Sequence, residues 1–221
     1  EAGAVVLAER RISALTDNLK RGYESELRVG CTPTLSLHAL PQPVADFARD
    51  NPSIRLDMRQ AHSALLAKML HDGHVDLVIG PPEIAARVPG TETVPLFSSP
   101  VVILASRFHP LAGRKTITNQ DLNDARWILH QPGTGIREAT DILLRRLGVN
   151  ETLQASELPS NMILALLRLG DHLAALPRYV LKNIDIAGEL VQIAGEEPPV
   201  LLGHDAITMA RQTSKTTDKF I

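Results

Sequence analysis

The sequence predicts an α/β protein built as two similar lobes, and three observations predict it. Short apolar, strand-like runs begin near residues 27, 54 and 75, with amphipathic helical stretches between them. The same alternation restarts near residues 127, 153 and 173, at nearly the same intervals but in a different sequence. Strand-like segments at 93–106 and 200–209 lie outside both runs, as if the chain crosses to a second lobe and then returns.

Taken in order, residues 4–22 read as a helix. Val5, Ala8, Ile12, Leu15 and Leu19 fall at alternating spacings of three and four, a heptad seam suited to dimerisation, and Gly22 is a plausible stop. Residues 27–31 form a buried strand around Leu27, Val29 and Cys31. Residues 35–49 form one helix with Leu37, Leu40, Val44, Phe47 and Ala48 inward, bent or delayed by Pro41 and Pro43. Residues 54–59 alternate Ile54, Leu56 and Met58 with Arg55, Asp57 and Arg59, a half-buried strand. A helix over 63–72, inward at Leu65, Leu66, Met69 and Leu70, leads to an apolar strand over 75–79, stopped by Gly80-Pro81-Pro82.

In the second run, strands at 127–130, 153–156 and 173–176 alternate with helices at 136–147 and 160–169. The first helix points Ala139, Ile142, Leu143 and Leu147 inward. Two parallel βαβαβ units follow, with crossovers near 98–101 and 202–205 acting as a hinge at Ser98, Ser99, Pro100 and Gly203. The expected organisation is a linker helix at 1–22, a first lobe at 23–98 completed by 204–221, and a second lobe at 99–203. A ligand cleft is expected between the strand C-terminal ends of the two lobes.

Composition narrows the function. The 221 residues are 44% hydrophobic and 22% charged, the globular range. A net charge of −2 argues against this segment gripping nucleic acid by itself, which takes a clustered basic surface. Aromatic residues make up 3%, too few for base-stacking platforms. A single cysteine excludes an internal disulfide and fits a reducing compartment. Glu9, Arg10 and Arg11 interrupt the only early apolar run, so no export signal is read and a cytoplasmic location without a membrane anchor is expected.

Five junctions follow strands: Thr32-Pro33-Thr34, Ala61-His62-Ser63, Gly80-Pro81, Pro132-Gly133-Thr134-Gly135 and Pro159-Ser160-Asn161. Hydroxyls at a helix start, beside free backbone N–H groups and the positive end of the helix dipole, suit a small anion. Each alone is also an ordinary cap. Their shared placement at strand ends makes Thr32, Pro33, Thr34, His62, Ser63, Gly80, Pro81, Gly133, Thr134, Gly135, Ser160 and Asn161 the candidate effector contacts.

Catalytic patterns are missing: no GxSxG, HExxH, GxGxxG or P-loop spacing occurs. Cys31 ends an apolar strand, where thiols are buried and inert, although a thiol near His62 is conceivable. His71 and His74 flank Gly73 without further ligand types nearby, so no metal site, no cofactor and no enzymatic activity are expected.

Short motifs, in order, resemble the LysR-type transcriptional regulators from their linker helix onward. They are Glu1-Ala2-Gly3, Leu27-Arg28-Val29-Gly30, Asn51-Pro52, the LHDGHVDLVIG run at 70–80, Phe108-His109-Pro110-Leu111, Pro132-Gly133-Thr134-Gly135-Ile136-Arg137 and Leu176-Pro177. The resemblance implies a periplasmic-binding-protein-like clamshell of two Rossmann-like lobes behind a linker helix. It also implies a small-molecule effector, a homodimer or homotetramer, and DNA contact through an absent winged helix-turn-helix domain. By position it carries effector contacts onto Thr32, Thr34, His62, Ser63, 133–135 and 160–161. The chain departs from the family at Ala61-His62, where a Gly or Ser pair is common, and at 170–177.

The reading is therefore the effector-sensing and oligomerisation part of a transcription regulator, taking a small carboxylate. The alternatives are an exported solute-binding protein of a transport system, which shares the clamshell, and an enzyme on the same scaffold.

Overall fold

The computed structural model describes residues 22–149, 155–182, 188–194, 198–210 and 214–221. The heptad seam from Val5 to Leu19 and the start of the strand expected at 153 lie outside the described residues. The chain forms two compact units: one runs to Leu96 and resumes at His204, and the other is Phe97–Gly203.

In the first unit, β1 (Ser25–Cys31) is flanked by β2 (Ile54–Gln60) and β3 (Leu77–Gly80), both parallel to it. The return strand β9 (Leu201–Met209) closes the sheet antiparallel to β3, giving the order β2-β1-β3-β9. Leu27, Val29 and Cys31 on the inner strand are buried, whereas β2 at the edge is only half-buried beyond Ile54. Helix α3 (Ser63–His71) sets Leu66 and Leu70 into a core with Val75, Val78, Ile84 and Ile207. Gly30 permits this approach, because a Cβ there would lie 2.8 Å from Leu66 Cδ2. Exposed Leu65 faces away from that core.

The single helix expected over 35–49 is two helices, α1 (Pro33–His38) and α2 (Pro41–Asp50). Pro41 has no N–H to continue the ladder, and its ring would meet the carbonyl four residues back. The chain turns at Ala39-Leu40, whose N–H groups both reach Leu35 O, at 2.9 and 3.0 Å. Leu40 and Phe47 are buried, but Leu37 and Ala48 are exposed, because the break shifts the helical phase. Phe47 meets Phe220 edge-to-face at 4.8 Å, which ties α2 to α7 (Lys215–Phe220).

The second unit repeats the plan. Helix α4 (Asn119–Asn123) precedes β5 (Arg126–His130), α5 (Gly135–Arg146), β6 (Ala155–Leu158), α6 (Ser160–Leu169) and β7 (His172–Pro177). Strands β6, β5 and β7 are parallel. The long β4 (Thr91–Ser106) pairs antiparallel with β7 on one side and β8 (Leu190–Ala194) on the other. Leu143 and Leu144 of α5 and Ile163 and Leu167 of α6 fill the core beside Trp127, whose Nε1–H donates to Leu122 O at 2.8 Å. Ile142, read as inward, is 38% exposed.

Ser98, Ser99 and Pro100 lie within β4, which runs unbroken through them. The unit boundary falls two residues before Ser98, and Gly203 is the last residue of the second unit.

Candidate functional site

Parallel pairing decides what comes together. In the first unit Cys31 is level with Gln60 on one side and Ile79 on the other, so the turns after β1, β2 and β3 share one sheet edge. The Ala61 N–H donates to Cys31 O at 3.1 Å and holds the second turn against the first. Thr32 is the N-cap of α1 in extended conformation, yet its side chain makes no capping bond; Pro33 opens the helix and Thr34 is buried. His62 holds the same position ahead of α3, exposed and again without a capping bond, and Ser63 is 4% exposed. Both helix starts therefore present hydroxyls beside first-turn N–H groups that have no intrahelical partner.

Gly80 and Pro81 contribute through packing. A Cβ on Gly80 would lie 2.7 Å from Ile84 Cδ1 and 3.6 Å from Thr32 Cγ2, so the glycine lets the third turn close beside the first. Cys31, just behind Thr32, is a free buried thiol whose pKa burial pushes up to about 11; it stays protonated and is a poor nucleophile.

In the second unit His130 is level with Leu158, which sets the turns after β5 and β6 side by side. Gly133 has φ +76°, a conformation glycine adopts without strain. The Thr134 hydroxyl donates to Gln131 O at 3.0 Å and accepts from the Arg137 N–H at 3.3 Å, so it caps α5, which Gly135 opens. Ser160 opens α6 and Asn161 is exposed beside it.

Sequence reading missed the charged cluster at this edge. Arg137, with its side chain 12% exposed, donates from Nε to Asp141 at 2.7 Å and from Nη1 to Glu157 at 2.7 Å and to His130 O at 2.9 Å. The spacing of Arg137 to Asp141, one helical turn, was readable; the Glu157 contact needs the β5–β6 register. Among the described residues no three His, Cys, Asp or Glu side chains could hold a metal ion, and no helix is long and apolar enough to cross a membrane.

Two mixed sheets, each with three parallel strands whose C-terminal edge gathers hydroxyls at helix starts, define the class: an α/β protein of two βαβαβ units. The chain belongs to the LysR substrate binding domain family, whose model matches residues 20–221. It is 29% identical over 193 residues to the HTH-type transcriptional regulator GalR of Pseudomonas putida, an alignment covering 85% of this chain and 46% of GalR. The regulatory domain of CcmR from Synechocystis PCC6803, solved in complex with 2-PG, superposes with a TM-score of 0.73 at 25% identity, covering 89% of this chain and 94% of that one. The BenM effector binding domain, solved with its effector benzoate, has the same fold, with a TM-score of 0.70 at 17% identity over 90% of this chain and 89% of that one. These relatives are regulators, so the family does not favour the transport solute-binding alternative.

Proposed function

We propose that this chain is the effector-sensing and oligomerisation part of a cytoplasmic LysR-type DNA-binding regulator and has no catalytic role. Its effector is a small anion, a carboxylate. Its candidate contacts are Thr32, Thr34 and Ser63 at the strand edge of the first unit and Thr134 and Asn161 at the strand edge of the second. Pro33, His62, Gly80, Pro81, Gly133, Gly135 and Ser160 shape the turns that present those groups. Binding changes the relative populations of lobe arrangements, with Ser98, Ser99, Pro100 and Gly203 as the hinge. The linker helix then passes that change to a winged helix-turn-helix domain within a homodimer or homotetramer.

One observation carries this reading: buried Thr34 and Ser63 stand at neighbouring helix starts, in a stretch without a charged side chain. Donors and helix dipoles with no built-in counter-charge favour a negative guest. The bound benzoate of BenM, a carboxylate, supports the ligand class by analogy.

The test is a thermal-shift screen of glycolate, pyruvate and benzoate against this chain, followed by titration of the best binder into Thr34→Ala. The variant should keep its circular dichroism spectrum and lose about tenfold in affinity, as expected for one lost charge-assisted hydrogen bond. Unchanged affinity in a folded variant would overturn the site.

A further inference from the structure

The opposite end of the second unit's sheet holds a cavity of about 530 Å³, lined by His109, Arg114, Asp121, Asp124, Arg126 and Asp171 among others. It lies where β5 and β7 begin, since Arg126 is level with His172, and is thus at the far edge of that sheet from the Gly133 turn. A volume of this size suits a small organic molecule.

Its charges are mostly balanced internally. Arg114 pairs with Asp121 at 2.8 Å, and Arg126 pairs with Asp171 at 2.9 Å. Asp124 accepts a neutral hydrogen bond from Gln120 at 2.8 Å and has no cation paired with it among the described residues. Two arginines against three aspartates leave the lining one negative charge in excess.

His109 is the second, independent observation. It is 7% exposed and lines the cavity. Its Nδ1 accepts the Leu111 N–H at 3.1 Å, so the neutral ring carries its proton on Nε2. Burial lowers the imidazole pKa and holds it in that neutral form. The Nε2–H has no hydrogen-bond partner among the described residues. A donor in a nine-tenths-buried ring that faces a cavity calls for an acceptor in that cavity.

We propose that this cavity is a second ligand site, separate from the effector edges. It would take a small organic cation that also carries a hydrogen-bond acceptor, the class of amino-acid amides and amino alcohols. The ammonium group faces Asp124, and the acceptor takes the His109 Nε2–H.

The test is an NMR titration of the nitrogen-15-labelled chain with L-alaninamide, n-propylamine and propanoate in parallel. L-Alaninamide should give saturable shifts confined to residues 107–126 and 171–172. n-Propylamine, lacking the acceptor, should bind about tenfold more weakly, and propanoate should give no saturable shifts there. Asp124→Asn, at an exposed position, should weaken L-alaninamide by about tenfold. His109→Gln, which keeps a side-chain N–H, should bind more tightly than His109→Ala. Thr34→Ala should bind L-alaninamide as the parent does, which separates this site from the effector edge. The proposal is overturned if L-alaninamide does not saturate by about 50 mM. It is equally overturned if Asp124→Asn binds like the parent, or if propanoate reproduces the same shifts.

Discussion

The two units place the same ion pair at the same point of their plan and use it differently. In the first, Arg28 on β1 pairs with Asp76, just ahead of β3. In the second, Arg126 on β5 pairs with Asp171, just ahead of β7. The first pair is closed. Arg28 reaches Asp76 through Nε at 3.0 Å and Nη2 at 2.5 Å, Nη1 donates to Gly73 O at 2.9 Å, and the side chains are 14% and 22% exposed. The second is a single contact at 2.9 Å between side chains 60% and 54% exposed, on the wall of the His109 cavity. One pair is held by several hydrogen bonds and little exposed, and the other is a lone exposed contact, so a repeated element supports structure in one unit and lines a cavity in the other.

Acid should separate the units most strongly. His204, 2% exposed on β9, and His38 at the end of α1 are both in the first unit, and burial lowers each to about 4, whereas His109 in the second unit is lowered by the same cause but less. A histidine buried neutral stabilises the fold fully above its unfolded pKa of about 6.5, and that stability is lost as pH falls towards the folded value. For His204 the loss across that window is about 3 kcal/mol. Hydrogen exchange at pH 7 and pH 4.5 should show protection falling first in β3 and β9. Parallel loss in β5 and β7 would break the comparison.

The ion pairs provide the next contrast. Asp76→Asn strands a mostly buried guanidinium and should cost about 2 kcal/mol. Asp171→Asn removes an exposed contact and should cost about 0.5 kcal/mol or less. Urea unfolding of both variants decides it, and equal costs would mean that the closed geometry of Arg28 adds nothing.

What the sequence made legible follows from periodicity. Strands at 27–31 and 127–130, and the helix that starts at Ser160, are short apolar runs between clear stops, so their positions could be read locally. The five junctions were legible for the same reason. The helix break at Ala39-Leu40 was not, because two prolines near a helix start permit either a bend or a new beginning. Arg28 with Asp76, Arg137 with Glu157, and the His109 cavity were invisible because their members meet only through strand register, which no local pattern encodes. The start of β7 and the loop after β4 bring His172 within electrostatic reach of His109, a meeting no local pattern encodes.

The smallest effect concerns the two threonine caps, and it bears directly on the effector edges. Thr134 and Thr32 both precede a helix in extended conformation, with φ −109° and −74°. Thr134 closes its cap onto the Arg137 N–H; Thr32 makes no such bond. A cap that is made contributes about 1 kcal/mol, so Thr134→Ala should lower stability by that amount. Thr32→Ala, with no cap to lose, should change it by only a few tenths of a kcal/mol. If thermal melts rank them this way, the Thr32 hydroxyl is held at its turn without a capping role, as a group that contacts a guest would be. If Thr32→Ala costs as much as Thr134→Ala, Thr32 is structural, and the first unit's edge loses one of its three candidate hydroxyls.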